Sequence, residues 1–262
     1  MILPRQQLLK GCKEPETMEQ LLVQADTVLR SWQPLWSPFL SAPAREDALD
    51  RLAALTDLHW QADGGHPGAE RQRLRCCRSE DQAPSTMEPS PIAGLLVEGN
   101  FLFDPINPSD ICMALEAMGA QQEVLGDIWI RGDRGAQALC TPELAQKLNG
   151  LKGRVRDVEI HCEAVSIAQL QLPAARLERH LNSVEASCRL DAIASAGFGL
   201  SRAKVVSQIK EGRLRLNWEP IRQASRELVV GDRLQLQDRG TVEVLAMNLT
   251  KRQRWRVEML RR

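Results

Sequence analysis

Residues 200–217 read LSRAKVVSQIKEGRLRLN, with Arg202, Lys204, Lys210, Arg213 and Arg215 set against one acid, Glu211. Side chains of this kind neutralise and orient phosphate oxygens, Arg as a planar fork and Lys as a point charge. Ser201 is placed to cap a helix by accepting a bond from an early backbone N–H. Arg202 then falls in the first turn, where free N–H groups and the helix dipole already favour an anion. At about 100° per residue, Ala203, Val206 and Ile209 fall on one side of that helix and Lys204, Gln208 and Glu211 on the other. Gly212 supplies the left-handed stop. Beyond it Arg213 and Arg215 alternate with Leu214 and Leu216, which gives a strand one basic and one apolar face.

The charge of the whole chain conceals this patch. The 262 residues have a formal net charge of zero. Residues 188–262 hold 16 Lys and Arg against 8 Asp and Glu, a surplus of +8, and the remaining 18 against 26 give −8. Such a split points to a nucleic-acid-binding module joined to an acidic body. No run approaches the ~18 apolar residues of a membrane helix. The start, MILPRQQLLKGCKEPE, shows no apolar secretory core and does not look like a transit peptide, so a cytoplasmic protein without membrane insertion is expected. The seven Cys are odd in number and irregularly spaced, with no CxxC pair. Reduced, mostly buried thiols are expected, and neither a metal site nor a cofactor. No HExxH, phosphate loop or Ser/His/Asp set is present among only four His, so no catalytic residue is assigned.

Elements must position the patch. Met18, Leu21, Leu22, Ala25, Val28 and Leu29 recur at helical spacing within 15–32. A second helix fits 44–58 on Leu49, Leu52 and Leu55. Arg71 to Cys77, RQRLRCC, has strand character, and the proline-rich stretch 80–91 reads as a linker or long loop. From 92 the pattern alternates: a strand, a helix opened by Pro108 and closed by Gly119, a strand at 123–130, the turn RGDRG, a strand at 136–141, a helix capped by Thr141 with Pro142 in its first turn, and a strand over 154–165. The order βαββαβ is that of a ferredoxin-like sheet with two helices on one face. RNA-recognition domains share this order and stack bases on aromatic side chains. Trp129 is the best candidate for such a role here, and a core position suits it equally. The expected divisions are a helical region at 1–83, a ferredoxin-like domain at 90–170 and a basic module at 187–262. In the module, Arg189 starts a helix whose apolar face is Leu190, Ile193 and Ala194, and Gly197 and Gly199 end it. The tail TKRQRWRVEMLRR adds Lys251 and Arg252, and its Trp255, Val257 and Met259 alternate with charges as in a strand with one buried face.

A charge run alone reads equally well as a solvated helix face. The surrounding residues decide: RLDA, LSR, EG before a strand, Asn217, Ser225 and VVGD at 229–232 occur at the spacing of the S-four RNA-binding domain (αL-type), named for the fourth protein of the small ribosomal subunit. The resemblance spans roughly 189–245. That domain's Asn-Gly is Asn217–Trp218 in this chain, which argues against a tight turn there. The chain further resembles the YlmH-like family of ribosome-associated proteins, including its cyanobacterial and plastid branch of photosystem II S-four domain proteins. GGHPGAERQRL at 64–74 is similar to that family's glycine-glycine-aromatic and Ala-Glu-Arg motif, with His66 at the aromatic place. LGDIWIRGDRGAQALCTPELAQKLN is similar to its central domain. The resemblance implies an α+β fold: a helical N-terminal region, a ferredoxin-like middle and an S-four module. It implies structured RNA as partner, ribosomal RNA or tRNA on the large subunit, and a role in rescue of stalled subunits. DNA is not an expected partner, and a monomer is expected. Arg189, Ser201, Arg202, Lys204, Lys210, Arg213, Arg215, Asn217, Lys251 and Arg252 are the expected RNA contacts. The alternatives are an RNA-modifying enzyme targeted by an S-four domain and an assembly factor for photosynthetic complexes.

Overall fold

Helix α1 (Arg5–Leu9) leads into α2 (Pro15–Ser31), whose Met18, Leu21, Leu22, Ala25 and Val28 are buried along one stripe. The computed structural model describes residues 3–81, 90–174, 177–236 and 239–262, so most of the expected linker, 82–89, lies outside the described residues. Contacts divide the chain into two units, 1–174 and 175–262.

After β1 (Leu35–Trp36) comes α3 (Ala42–Leu52), capped by the Ser41 hydroxyl, which accepts from Ala44 N at 3.3 Å. The helix expected over 44–58 begins earlier and stops at Leu52. Leu55 and Leu58 still enter the same core, but Leu58 does so from β2 (Leu58–Asp63). That strand pairs with β3 (Arg73–Arg78), and β3 pairs with β1, in the order β1-β3-β2. The helical N-terminal region therefore rests on a small sheet. The leucine period carries on through 55 and 58, and cross-strand pairing overrides it there.

The second sheet of this unit is built from β4 (Ala93–Glu98), α4 (Pro108–Ala117), β5 (Leu125–Ile130), β6 (Gly135–Cys140), α5 (Pro142–Leu148), β7 (Lys152–Val155) and β8 (Val158–Val165). Its order is β5-β6-β4-β8-β7, antiparallel throughout. That is the ferredoxin-like arrangement, with β7 added at one edge. The single strand expected over 154–165 is a hairpin, because Arg156 turns the chain at φ 52°. The helix starts agree with the sequence: Asn107 and Asp110 form a reciprocal capping box, and the Thr141 hydroxyl accepts from Leu144 N. Leu95, Val97, Ile111, Leu115, Leu148 and Ile160 form the core beneath the sheet.

Unit two contains β9 (Arg179–Glu185), α6 (Leu190–Phe198), α7 (Arg202–Lys210), β10 (Leu214–Leu216), β11 (Glu219–Pro220), β12 (Arg233–Leu236), β13 (Gly240–Leu249) and β14 (Trp255–Arg261). One sheet in the order β11-β10-β12-β13-β14-β9 carries both helices' core residues. The first strand of the unit, β9, pairs along its full length with the last, β14, from Arg179↔Arg261 to Glu185↔Trp255. Val257 and Met259 are buried, as the alternation of the tail requires. Gly197 lies inside α6 rather than at its end. A Cβ there would stand 2.7 Å from Val242 Cγ1, so only glycine lets helix and sheet approach this closely, and Gly199 at φ 65° is the stop.

Candidate nucleic-acid interface

Helix α6 is apolar on most of its surface, and a loop fastens its start. Leu190 N donates to Arg226 O at 2.8 Å, Asp191 N to Ala224 O at 3.0 Å, and Leu228 N to Cys188 O at 2.9 Å. Arg189 stands at the N-cap position without a side-chain capping bond, and its guanidinium grips Asp191 through Nε to Oδ1 at 3.0 Å and Nη2 to Oδ2 at 2.9 Å. That grip holds the Asp191 carboxyl below the usual aspartate range. Arg189 therefore serves the fold as well as any ligand.

Ser201 caps α7 as expected, with its Oγ accepting from Lys204 N at 3.2 Å. The buried stripe of α7 is Val205, Gln208 and Ile209, not Ala203, Val206 and Ile209. The helix is rotated by roughly one residue from the expected register, and the buried amide of Gln208 is satisfied by Glu211, Nε2 to Oε2 at 3.0 Å. Arg202 is exposed in the first turn, but its Nη2 lies 3.3 Å from Glu185 Oε2, so a carboxylate already sits near the place where an anion was expected. Lys204 and Lys210 are exposed. Arg213 lies 3.9 Å from Glu211, while Arg215 projects away from the buried Leu214 and Leu216.

Asn217 is bound into the fold. Its Nδ2 donates to Asp232 Oδ1 at 2.8 Å and its Oδ1 accepts from Arg233 N at 2.9 Å. The tight turn survives the absence of Gly: Leu216 pairs with Glu219 across Asn217 (φ 49°) and Trp218 (φ 75°), the two positive values a primed hairpin turn needs. The Arg233 guanidinium carbon lies 5.6 Å from the centre of the Trp218 ring, an attraction that offsets part of the strain.

The ten expected residues do not form one cluster. Lys251 and Arg252 occupy the exposed tip between β13 and β14, and the adjoining Trp255 pairs with Glu185, the partner of Arg202. Lys204 and Arg213 instead line a cavity with Arg179, Arg239, Arg261 and Arg262, near the opposite end of β14. Six strand steps at about 3.3 Å put roughly 20 Å between the two ends, a distance that spans several phosphates. Arg179 and Arg239 were not singled out from sequence. Their place depends on the β9–β14 and β12–β13 pairings, for which local sequence gives no signal.

The first unit answers the question of Trp129. Its Nε1 donates to Gln171 O at 3.1 Å, and the ring packs on the cluster of Phe39, Ile92, Leu139 and Leu170, so it is a packing residue rather than a base platform. The motif at 64–71 is also built into the fold. Glu70 N and Arg71 N each donate at 2.8 Å to the Asp127 carboxylate, and the His66 ring meets Trp129 edge-on. His66 Nε2 is 3.3 Å from Asp127 Oδ2 but out of line for a hydrogen bond. The nearby carboxylate raises the His66 pKa against the effect of burial. None of the seven cysteines is joined in a disulfide, and burial pushes Cys76 and Cys140 up to about 12.

Residues 13–81 match the family model described as YlmH, N-terminal, and residues 188–234 match the S4 domain model. A curated relative, "Ribosome-associated protein quality control protein P2" of Bacillus subtilis (strain 168), is 23% identical over 216 residues, covering 82% of each chain. The solved structure "Cell division protein ylmH from Streptococcus pneumoniae" aligns at 17% identity over 64% of this chain and 95% of that one, with a TM-score of 0.41.

Proposed function

We propose that this chain, which carries a YlmH N-terminal domain and an S4 domain, is a ribosome-associated RNA-binding protein. In this reading it is a cytoplasmic, non-catalytic monomer that holds structured RNA, ribosomal RNA or tRNA on the large subunit, and acts in quality control of stalled subunits. The name of the Bacillus subtilis relative supports association with the ribosome. The observation that carries the reading is the set of exposed cations on one small unit: Arg202, Lys204 and Lys210 on α7, Arg215 on β10, and Lys251 and Arg252 at the hairpin tip. Contacts of this kind grip the backbone and carry little sequence information, so RNA shape is what the surface selects.

Crosslinking in cells followed by RNA sequencing tests the proposal. Large-subunit rRNA and tRNA are the expected recovery, and recovery of no RNA overturns it. With purified protein, affinity for a structured RNA falls steeply as salt rises, since each neutralised phosphate releases counterions. A flat salt response would argue against binding through phosphates.

A further inference from the structure

The cavity of unit two is more than a charged surface. It spans about 690 Å³ between α7, Leu236, Arg239 and the Arg179–Arg261 end of the sheet. Its described lining includes Arg179, Lys204, Arg213, Arg239, Arg261 and Arg262 and no carboxylate. Behind Arg262 stand Glu178 at 2.8 Å and Glu243 at 3.7 Å, which orient its guanidinium. Arg261 reaches Gly197 O at 3.4 Å and lies 6.0 Å from the Phe198 ring centre. Lys204, Arg179 and Arg239 are exposed.

The remaining walls are not those of a simple phosphate site. Leu177 and Leu200 supply apolar surface, and Leu177 is 79% exposed, while Leu236 behind them is buried in the core. Gln208, 5% exposed, also lines the wall, its amide held by Glu211. A bare phosphate would use the cations and leave the leucines against water. A duplex is too wide to enter a concavity of this size. A single nucleotide turned out of its helix fits all three features: its phosphate meets the rim cations, its base lies on leucine and guanidinium surface, and its edge meets an amide.

We infer that this cavity receives one unpaired, extrahelical nucleotide of a folded RNA, with Arg179 and Arg239 holding its phosphates and Leu177 and Leu200 lying under its base. The inference rests on the RNA-binding reading above and gives that reading a structural target, a bulge or flipped base beside a helix whose backbone runs toward the hairpin tip.

The test is fluorescence anisotropy of the full chain with labelled RNA hairpins at fixed salt. One hairpin is fully paired, and four others carry each base in turn as a single-nucleotide bulge. The bulged set binds about tenfold more tightly than the paired hairpin, the scale of one stacked base. The double variant Arg179→Ala/Arg239→Ala loses that preference. Lys251→Ala/Arg252→Ala weakens bulged and paired hairpins alike and keeps the preference. Equal binding of paired and bulged hairpins by the unaltered protein overturns the pocket while leaving RNA binding intact. Binding of none of the five overturns the RNA-binding reading and the pocket with it.

Discussion

Arg71 in the first unit and Lys204 in the second carry the same charge and spend it differently. Arg71 donates from Nε to Leu125 O at 2.8 Å and from Nη2 to Gln122 O at 2.7 Å and Phe39 O at 3.3 Å, tying the 64–71 loop to the ferredoxin-like sheet. Its neighbours do the same. Arg73 bonds Ser37 O and Pro91 O, both at 2.7 Å, and Arg51 bonds Leu8 O, Lys10 O and Gly11 O at the end of α1. Lys204 is exposed at the rim of a cavity walled by other cations. Arginine density alone therefore does not mark a ligand surface. What marks it is whether backbone carbonyls have already taken up the donors.

Two experiments try to break that contrast. Arg202→Glu with Lys204→Glu reverses two charges at the start of α7. RNA affinity is expected to fall about a hundredfold while the unfolding midpoint stays close to that of the parent, since exposed charges contribute little to stability. Arg71→Ala leaves three carbonyls without their charged donor. It is expected to cost about 3 kcal/mol of unfolding free energy in a denaturant titration and to leave the RNA affinity of the folded fraction unchanged. The double reversal of Arg45 and Arg51 belongs with Arg71, because Arg45 Nη1 donates to Glu70 O at 2.7 Å. If the Arg45 and Arg51 reversals weakened RNA binding as much as those on α7, the contrast would fail and the interface would extend to the first unit.

Much of the frame can be read along the chain because local rules agree with it. Pro108 and Pro142 at helix starts, the RGDRG turn and the alternation in 255–259 each specify their element over a few residues. The S-four pattern placed the second helix, its cap and its glycine stop. What could not be read is set by contacts distant in sequence. β2 lies in a stretch whose leucines extend a helical period, and only pairing with β3 makes it a strand. The buried stripe of α7 includes a glutamine that a hydrophobic period cannot rank. The cavity depends on β9 meeting β14, about 70 residues later, so Arg179 had no reason to stand out. The role of Arg189 was half legible: it lies where the helix starts, but its tie to Asp191 takes up its fork.

The pH response of the two units sharpens the same comparison with a smaller effect. In the first unit, Asp127 raises the His66 pKa, so the folded chain holds that proton more tightly than the unfolded chain does. This contribution is complete below the ordinary histidine range near ~6.5 and is lost as pH rises through the raised value. In the second unit, Arg189 lowers the Asp191 pKa, so that contribution is present above the ordinary aspartate range and is lost as pH falls. Below the range where thiols of the unfolded chain begin to ionise, urea midpoints of the full chain from pH 5 to 8 are therefore expected to fall between about pH 6.5 and 8 in the parent and to flatten there in His66→Gln. A parent and variant with identical slopes there would remove His66 from the account.

The smallest expected change is the most discriminating for RNA. Trp218 at φ 75° holds a conformation that costs a residue with a Cβ about 1 kcal/mol relative to Gly. Its ring beside Arg233 returns on the order of 0.5–1 kcal/mol. Trp218→Gly restores the Asn-Gly turn and removes the ring, so the two terms nearly cancel and stability is expected to stay within about 1 kcal/mol. Because the fold is kept, RNA affinity isolates what the indole does. Unchanged affinity assigns Trp218 to the turn and to Arg233, in keeping with a surface that works through cations. A loss of tenfold or more, the scale of one stacked base, would make the hairpin end of β10 a second place where RNA is held by its bases, and phosphate contacts would no longer describe the whole interface.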